Sequence, residues 1–192
     1  MKQFKMKYRI YIILFLILLP VSSCDEWLEL TPPDGLVKEE FWKSKEDIEA
    51  VLMGAYQKFA SLDEKLFLYG ELRADMIDDD NNTAWNQRQI MEGNIYPNNS
   101  LCNWNDFYEV IFHCNSVLKH TPDVLEKDPT FTEYQKSGYE AEAIFLRSLA
   151  YFYLVRIFKE VPLVLEPAEN DDVDFYPSKS ADTTVLNFIK KD

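Results

Sequence analysis

Apolar residues recur with helical spacing along most of the chain. Ile48, Val51, Leu52, Ala55, Tyr56 and Phe59 fall at i, i+3, i+4, i+7, i+8 and i+11, one face of an amphipathic helix over 44–60. Ser44, with Asp47 three residues on, is a near capping box for its start. A second helix is predicted from Phe67 to Met76. From Trp104, residues Phe107, Ile111, Cys114 and Leu118 share one face, and Thr121-Pro122 is the predicted stop. Thr132 and Gln135 are placed to cap the longest helix, 132–159, whose Ala143, Ala150, Tyr153, Leu154 and Ile157 spread over more than one side. Val161 to Val164 reads as a short extended exit, and Ser180 is expected to cap a last helix carrying Val185, Leu186 and Ile189. The chain stops at Asp192 barely two turns into that pattern, so a partial sequence is expected. Between these segments, 78–100 is rich in Asn and Asp and predicts a loop or short irregular strand, and 170–174 predicts an acidic loop. The pattern predicts an all-α core.

The first 43 residues do not fit that core. Lys2, Lys5, Lys7 and Arg9 lead into a ten-residue apolar run, Ile10 to Leu19. That run is too short to span a bilayer, which takes about 20 residues, but suits a signal peptide. Pro20 breaks it, and Ser22-Ser23 precede Cys24 in a sequence that resembles the bacterial lipobox, with Val21 where Leu is commoner. The expectation is a signal peptide over 1–23, lipidation at Cys24, a tether over 24–43 bearing the turn signals Pro32-Pro33 and Asp34-Gly35, and a helical domain over 44–192. Ordinary secretion, with Cys24 a structural thiol, is the alternative. Asp25-Glu26 after the cysteine resembles an acidic surface-export signal and points to the outer membrane, facing outward.

Composition narrows the function. The net charge is −13, and with the four N-terminal cations set aside, 16 of the 20 basic groups face all 33 acidic ones. Such a surface repels phosphate backbones and argues against nucleic-acid binding. The 13 Phe, 11 Tyr and 4 Trp require a core or a ligand to cover them. Cys102 and Cys114 read as small buried hydrophobes, with a disulfide the alternative.

Five segments in order resemble SusD/RagB-type lipoproteins. They are Cys24 to Glu29 with Pro32-Pro33; Glu40-Phe41-Trp42 leading into Gly54-Ala55-Tyr56; Glu71 to Asp75; Trp104 with Tyr108, Ile111 and Asn115; and Ala141 to Arg156 closed by Val161 to Val164. The resemblance implies tetratricopeptide-like helix pairs with an irregular, loop-rich ligand region. It also implies capture of nutrient oligosaccharides and their transfer to a SusC-type TonB-dependent transporter. Peptide capture, as in RagB-like members, and a helical adaptor for a protein partner are the other readings.

No motif points to catalysis. There is no Gly-x-Ser-x-Gly and no phosphate-cradling loop, so the expectation is a binding protein without a cofactor, not an enzyme. His113 and His120 lie seven apart with no ligand neighbours at metal spacing. Asp78, Asp80 and Asn82 open like a calcium loop, but Thr83 replaces the required Gly and Gln89 the bidentate Glu. Glu71, Arg73 and Asp75 read as structural charge pairing, and Trp104 as core. The candidate ligand contacts are Trp85, Asn86 and Arg88, with Gln87 between them, and Tyr96. An aromatic ring packs on the C–H face of a sugar, while planar amide and guanidinium groups bond its hydroxyls. That Trp85 instead covers an edge of the core stays open.

Overall fold

The computed structural model describes residues 41–192 except 75, 81 and 171–173. The signal peptide, Cys24 and the tether up to residue 40 lie outside the described residues. Residues 41–192 form one compact unit, which therefore includes Phe41 and Trp42.

Six α-helices make its frame: α1 (Lys45–Ala60), α2 (Asp63–Phe67), α3 (Trp85–Met91), α4 (Asn105–Lys127), α5 (Glu133–Phe158) and α6 (Asp182–Ile189). A π-helical turn, Leu68–Leu72, continues α2, and a 3-10 turn, Ser100–Cys102, precedes α4. The fold is all-α apart from one short antiparallel pair, β1 (Val161–Pro162) and β2 (Lys179–Ser180), in which Val161 faces Ser180 and Pro162 faces Lys179.

Local chemistry sets the boundaries. Ser44 and Asp47 close the capping box of α1, and Thr132 and Gln135 that of α5. Asp128, just past α4, accepts a hydrogen bond from the Lys45 N–H at 3.1 Å, so the end of α4 also caps the start of α1. Helix α4 is the centre of the domain, packed against both α1 and α5. Lys58 near the end of α1 pairs with Asp106 at the start of α4, and Asn115 of α4 meets Arg147 of α5. With Trp104, just before α4, against Phe158 at the end of α5, these cross-links place α4 antiparallel to both neighbours. Ile48, Leu52, Phe107, Val110, Ile111, Cys114, Val117, Ala150, Tyr151 and Leu154 fill the space between them.

Four expectations need correction. The segment 78–100 contains a helix: α3 is closed by Gly93 at φ +76°, with Gly93 N–H bonded to Ile90 O and Asn94 N–H to Gln89 O. That is the Schellman arrangement, which needs a left-handed residue that glycine adopts without strain. Helix α4 does not stop at Thr121-Pro122 but runs on to Lys127. The fully buried Thr121 donates its hydroxyl to Val117 O, and Val124 is fully buried one turn later, so packing outweighs the N–H that proline lacks. The last helix is preceded by Ala181 rather than capped by Ser180, whose backbone is engaged in β2. The second helix also starts and ends earlier than its pattern predicts, spanning Asp63 to Leu72 with its π turn. Among the described residues no helix is long and apolar enough to cross a membrane.

Candidate ligand-binding clefts

The exit from α5 sets up the surface of interest. Tyr108 Oη donates to Pro162 O at 2.6 Å, and Asn115 Nδ2 to Val164 O at 3.1 Å. Tyr151 Oη donates to Val164 O and accepts from Val164 N–H. Asn115 Oδ1 in turn accepts from the buried Arg147, which also pairs with Asp192. Buried polar groups of α4 and α5 thus fix the strand that returns through β2.

Two clefts open beside this strand and share Trp104. The larger, about 690 Å³, is lined by Arg73, Tyr96, Asn103, Trp104, Lys159 and Lys179 among others. The second, about 350 Å³, is more apolar, running past Tyr108, Phe112, Pro162, Val164 and Phe175. Trp104 is half-buried, with its ring 5.7 Å from that of Phe158 and the Lys179 ammonium 5.3 Å from its centroid. A third cleft, also about 350 Å³, lies under α3, between Arg73, Ile77, Asp79, Arg88 and Met91.

The sequence candidates are distributed over this surface rather than gathered in one cleft. Trp85 opens α3, is 52% exposed and takes no part in the hydrophobic core. Asn86 donates to Ser100 Oγ at 2.8 Å, and its carbonyl accepts from Asn99, which ties α3 to the 3-10 turn. Arg88 lines the third cleft and its Nε lies 2.9 Å from Asp79 Oδ2. Tyr96 is 45% exposed and lines the cleft of about 690 Å³. Gln87 lies on α3 and is half-buried.

Trp104, Arg73, Lys159 and Lys179 were not among the sequence candidates. Trp104 does pack on the core, as its pattern implies, but it also lines two clefts. Arg73 is exposed, and among the described residues no ion pair joins it to Glu71; Asp75 is outside them. Lys159 follows the mostly apolar end of α5 and Lys179 lies in a short polar segment, with no periodic signal linking them, so only the β1–β2 register reveals that they share a cleft.

The other titratable candidates are structural. His120 stacks on Trp42, with ring centroids 4.3 Å apart, and bonds Glu169. Burial pushes the His113 imidazole below its ordinary value. Cys102 and Cys114 are unpaired and buried, and desolvation pushes the Cys114 thiol up to about 12, leaving it unreactive at neutral pH.

Comparison with known proteins agrees with this architecture. A SusD-like family profile described as starch-binding and associating with the outer membrane matches residues 26–192. SusD-like protein P38 of Formosa agariphila is 29% identical over 192 residues, 97% of this chain and 37% of that protein. A SusD-like protein of Bacteroides ovatus is 28% identical over 163 residues, 83% of this chain and 29% of its own length. The chain therefore spans about a third of the length of such relatives. A SusD superfamily protein of Bacteroides thetaiotaomicron superposes with a TM-score of 0.67 at 28% identity, covering 78% of this chain and 34% of that one. NanU of Bacteroides fragilis shares the fold with a TM-score of 0.67 at 22% identity, covering 84% of this chain and 32% of its own. The chain belongs to the SusD-like family.

Proposed function

We propose that the protein captures nutrient oligosaccharides at the outer membrane and passes them to a SusC-type TonB-dependent transporter, without catalysing a reaction. In this reading Cys24 carries the lipid that tethers it, facing outward. The family match over 26–192, to a profile described as starch-binding and associating with the outer membrane, is the observation that carries the reading. The geometry supports it: exposed rings at Trp85 and Tyr96, and open clefts in which aromatic faces stand beside amides and cations, suit a ligand with both C–H faces and hydroxyls. Trp85, Asn86, Arg88 and Tyr96 are the proposed contacts.

Titration calorimetry on the whole, detergent-solubilised protein tests this with a panel of oligosaccharides and, in parallel, of peptides. Saccharide binding is expected, weakened about tenfold or more by Trp85→Ala, since one decade is about 1.4 kcal/mol. Binding of peptides with no saccharide response would replace glycan capture by the RagB-like reading.

A further inference from the structure

The cleft of about 690 Å³ gathers positive charge in an acidic chain. In a chain of net charge −13, it is lined by Arg73, Lys159 and Lys179 and by no acidic residue. None of the three cations makes an ion pair among the described residues, and the cleft wall brings all three to one opening. Uncompensated like charges repel one another, and a concave wall concentrates their field. An arrangement of this kind becomes favourable when an anion enters.

Two further features hold the charges in place. Lys179 sits over the Trp104 ring, which restrains the ammonium at the cleft wall. Lys159, next to the end of α5, has φ +65° and ψ −84°. It is the one non-glycine residue with positive φ among the described residues. Those dihedrals lie near the rare γ-turn with positive φ, a strained conformation for any residue with a Cβ. Backbone strain of this kind persists where surrounding structure enforces it, and it concentrates at ligand sites. Here the β1–β2 register, with Pro162 opposite Lys179, brings two lysines twenty positions apart to the same opening.

Resting on the glycan-capture reading, we infer that this cleft selects an acidic sugar. A carboxylate or sulfate ester would lie among Arg73, Lys159 and Lys179, and Tyr96 and Trp104 would flank the ring. Asn103, which also lines the cleft, supplies an amide for neutral hydroxyls. The volume of about 690 Å³ falls in the usual range for small-ligand sites, roughly 300–1,000 Å³.

The test is calorimetry on the whole protein with three probes: trigalacturonate, a sulfated carrageenan tetrasaccharide and neutral maltotetraose. At least one acidic probe should bind about tenfold more tightly than maltotetraose, as expected for one charge-assisted contact of about 1.4 kcal/mol. That affinity should fall as NaCl is raised. Whichever acidic probe responds identifies the group as carboxylate or sulfate. Arg73→Gln and Lys179→Gln should each weaken acidic binding by about fivefold or more and weaken maltotetraose binding less, narrowing the gap between the two. Lys159→Gly is the decisive variant because it removes a charge and relieves the positive φ together. It should raise the melting temperature by several degrees while weakening acidic binding, so the loss cannot come from misfolding. Equal affinity for neutral and acidic probes, or acidic binding indifferent to all three substitutions, would overturn the charge selection and leave glycan capture standing. If none of the three saccharides binds, both proposals fall.

Discussion

At the scale of single residues, a few buried polar groups decide the shape of the surface that carries the clefts. Asn115, 1% exposed, accepts from Arg147 Nη1 at 2.9 Å and donates to Val164 O at 3.1 Å. Val164 O keeps a second donor in Tyr151, so the carbonyl survives loss of the amide. The guanidinium N–H would lose its acceptor inside the protein, and hydrogen bonds to charged groups are the more valuable ones. Asn115→Ala should therefore cost about 2–3 kcal/mol of stability, read as a lower urea midpoint with an unchanged slope. A change under about 0.5 kcal/mol, the usual range for surface substitutions, would show that water replaces the amide and that the network does not fix the strand.

At the scale of elements, capping chemistry was legible and tertiary override was not. Ser44 with Asp47 and Thr132 with Gln135 mark the starts of α1 and α5 in sequence and in structure, because a cap is satisfied by residues three apart. Helix α3 was hidden because Trp85 to Met91 is short, polar and has no side-chain cap at Ala84. Its one local signal was Gly93-Asn94, the residues of its Schellman closure. The clefts were still less legible: Tyr96 could be nominated as an exposed aromatic, but Lys159 and Lys179 meet only through long-range pairing. Pro122 is the clearest conflict between local preference and packing. Inside α4 it offers no N–H to the carbonyl four residues back and disfavours helical backbone at Thr121. A proline within a helix costs about 3 kcal/mol, and its stiffening of the unfolded chain returns about 0.4–1 kcal/mol. Pro122→Ala should accordingly stabilise the domain by about 2 kcal/mol, since Pro122 is exposed and its ring fills no core space. Denaturation that shows the variant to be less stable would mean that the proline sets a geometry on which the packing of Val124 depends.

At the scale of the whole molecule, ion pairs and capping carboxylates link the helices to each other and to the loop after β1, and this makes stability depend on pH in a defined order. Lys65, then Lys58, holds the Asp106 carboxyl below its ordinary value, joining α2 and α1 to α4. The Lys45 N–H, then Thr130, does the same for Asp128. Burial alone would raise Glu169, but hydrogen bonds from His120 and Lys119 outweigh it and hold that carboxyl at about 2. A carboxyl whose folded value is depressed stabilises above its unfolded value, and that contribution is lost as the pH falls through the folded one. For Glu169 the window runs from 4.5 down to about 2. His113 acts higher. Burial lowers its folded value below 6.5, so the unfolded chain takes up its proton first and stability begins to fall as the pH drops past 6.5. Urea midpoints measured from pH 7.5 to 3 should therefore decline in two stages, a shallow one beginning near 6.5 and a steeper one below 4.5. His113→Gln should remove the first stage and leave the second, and Glu169→Gln should flatten the second and leave the first. A single decline, untouched by His113→Gln, would show that the imidazole reaches water in the folded protein.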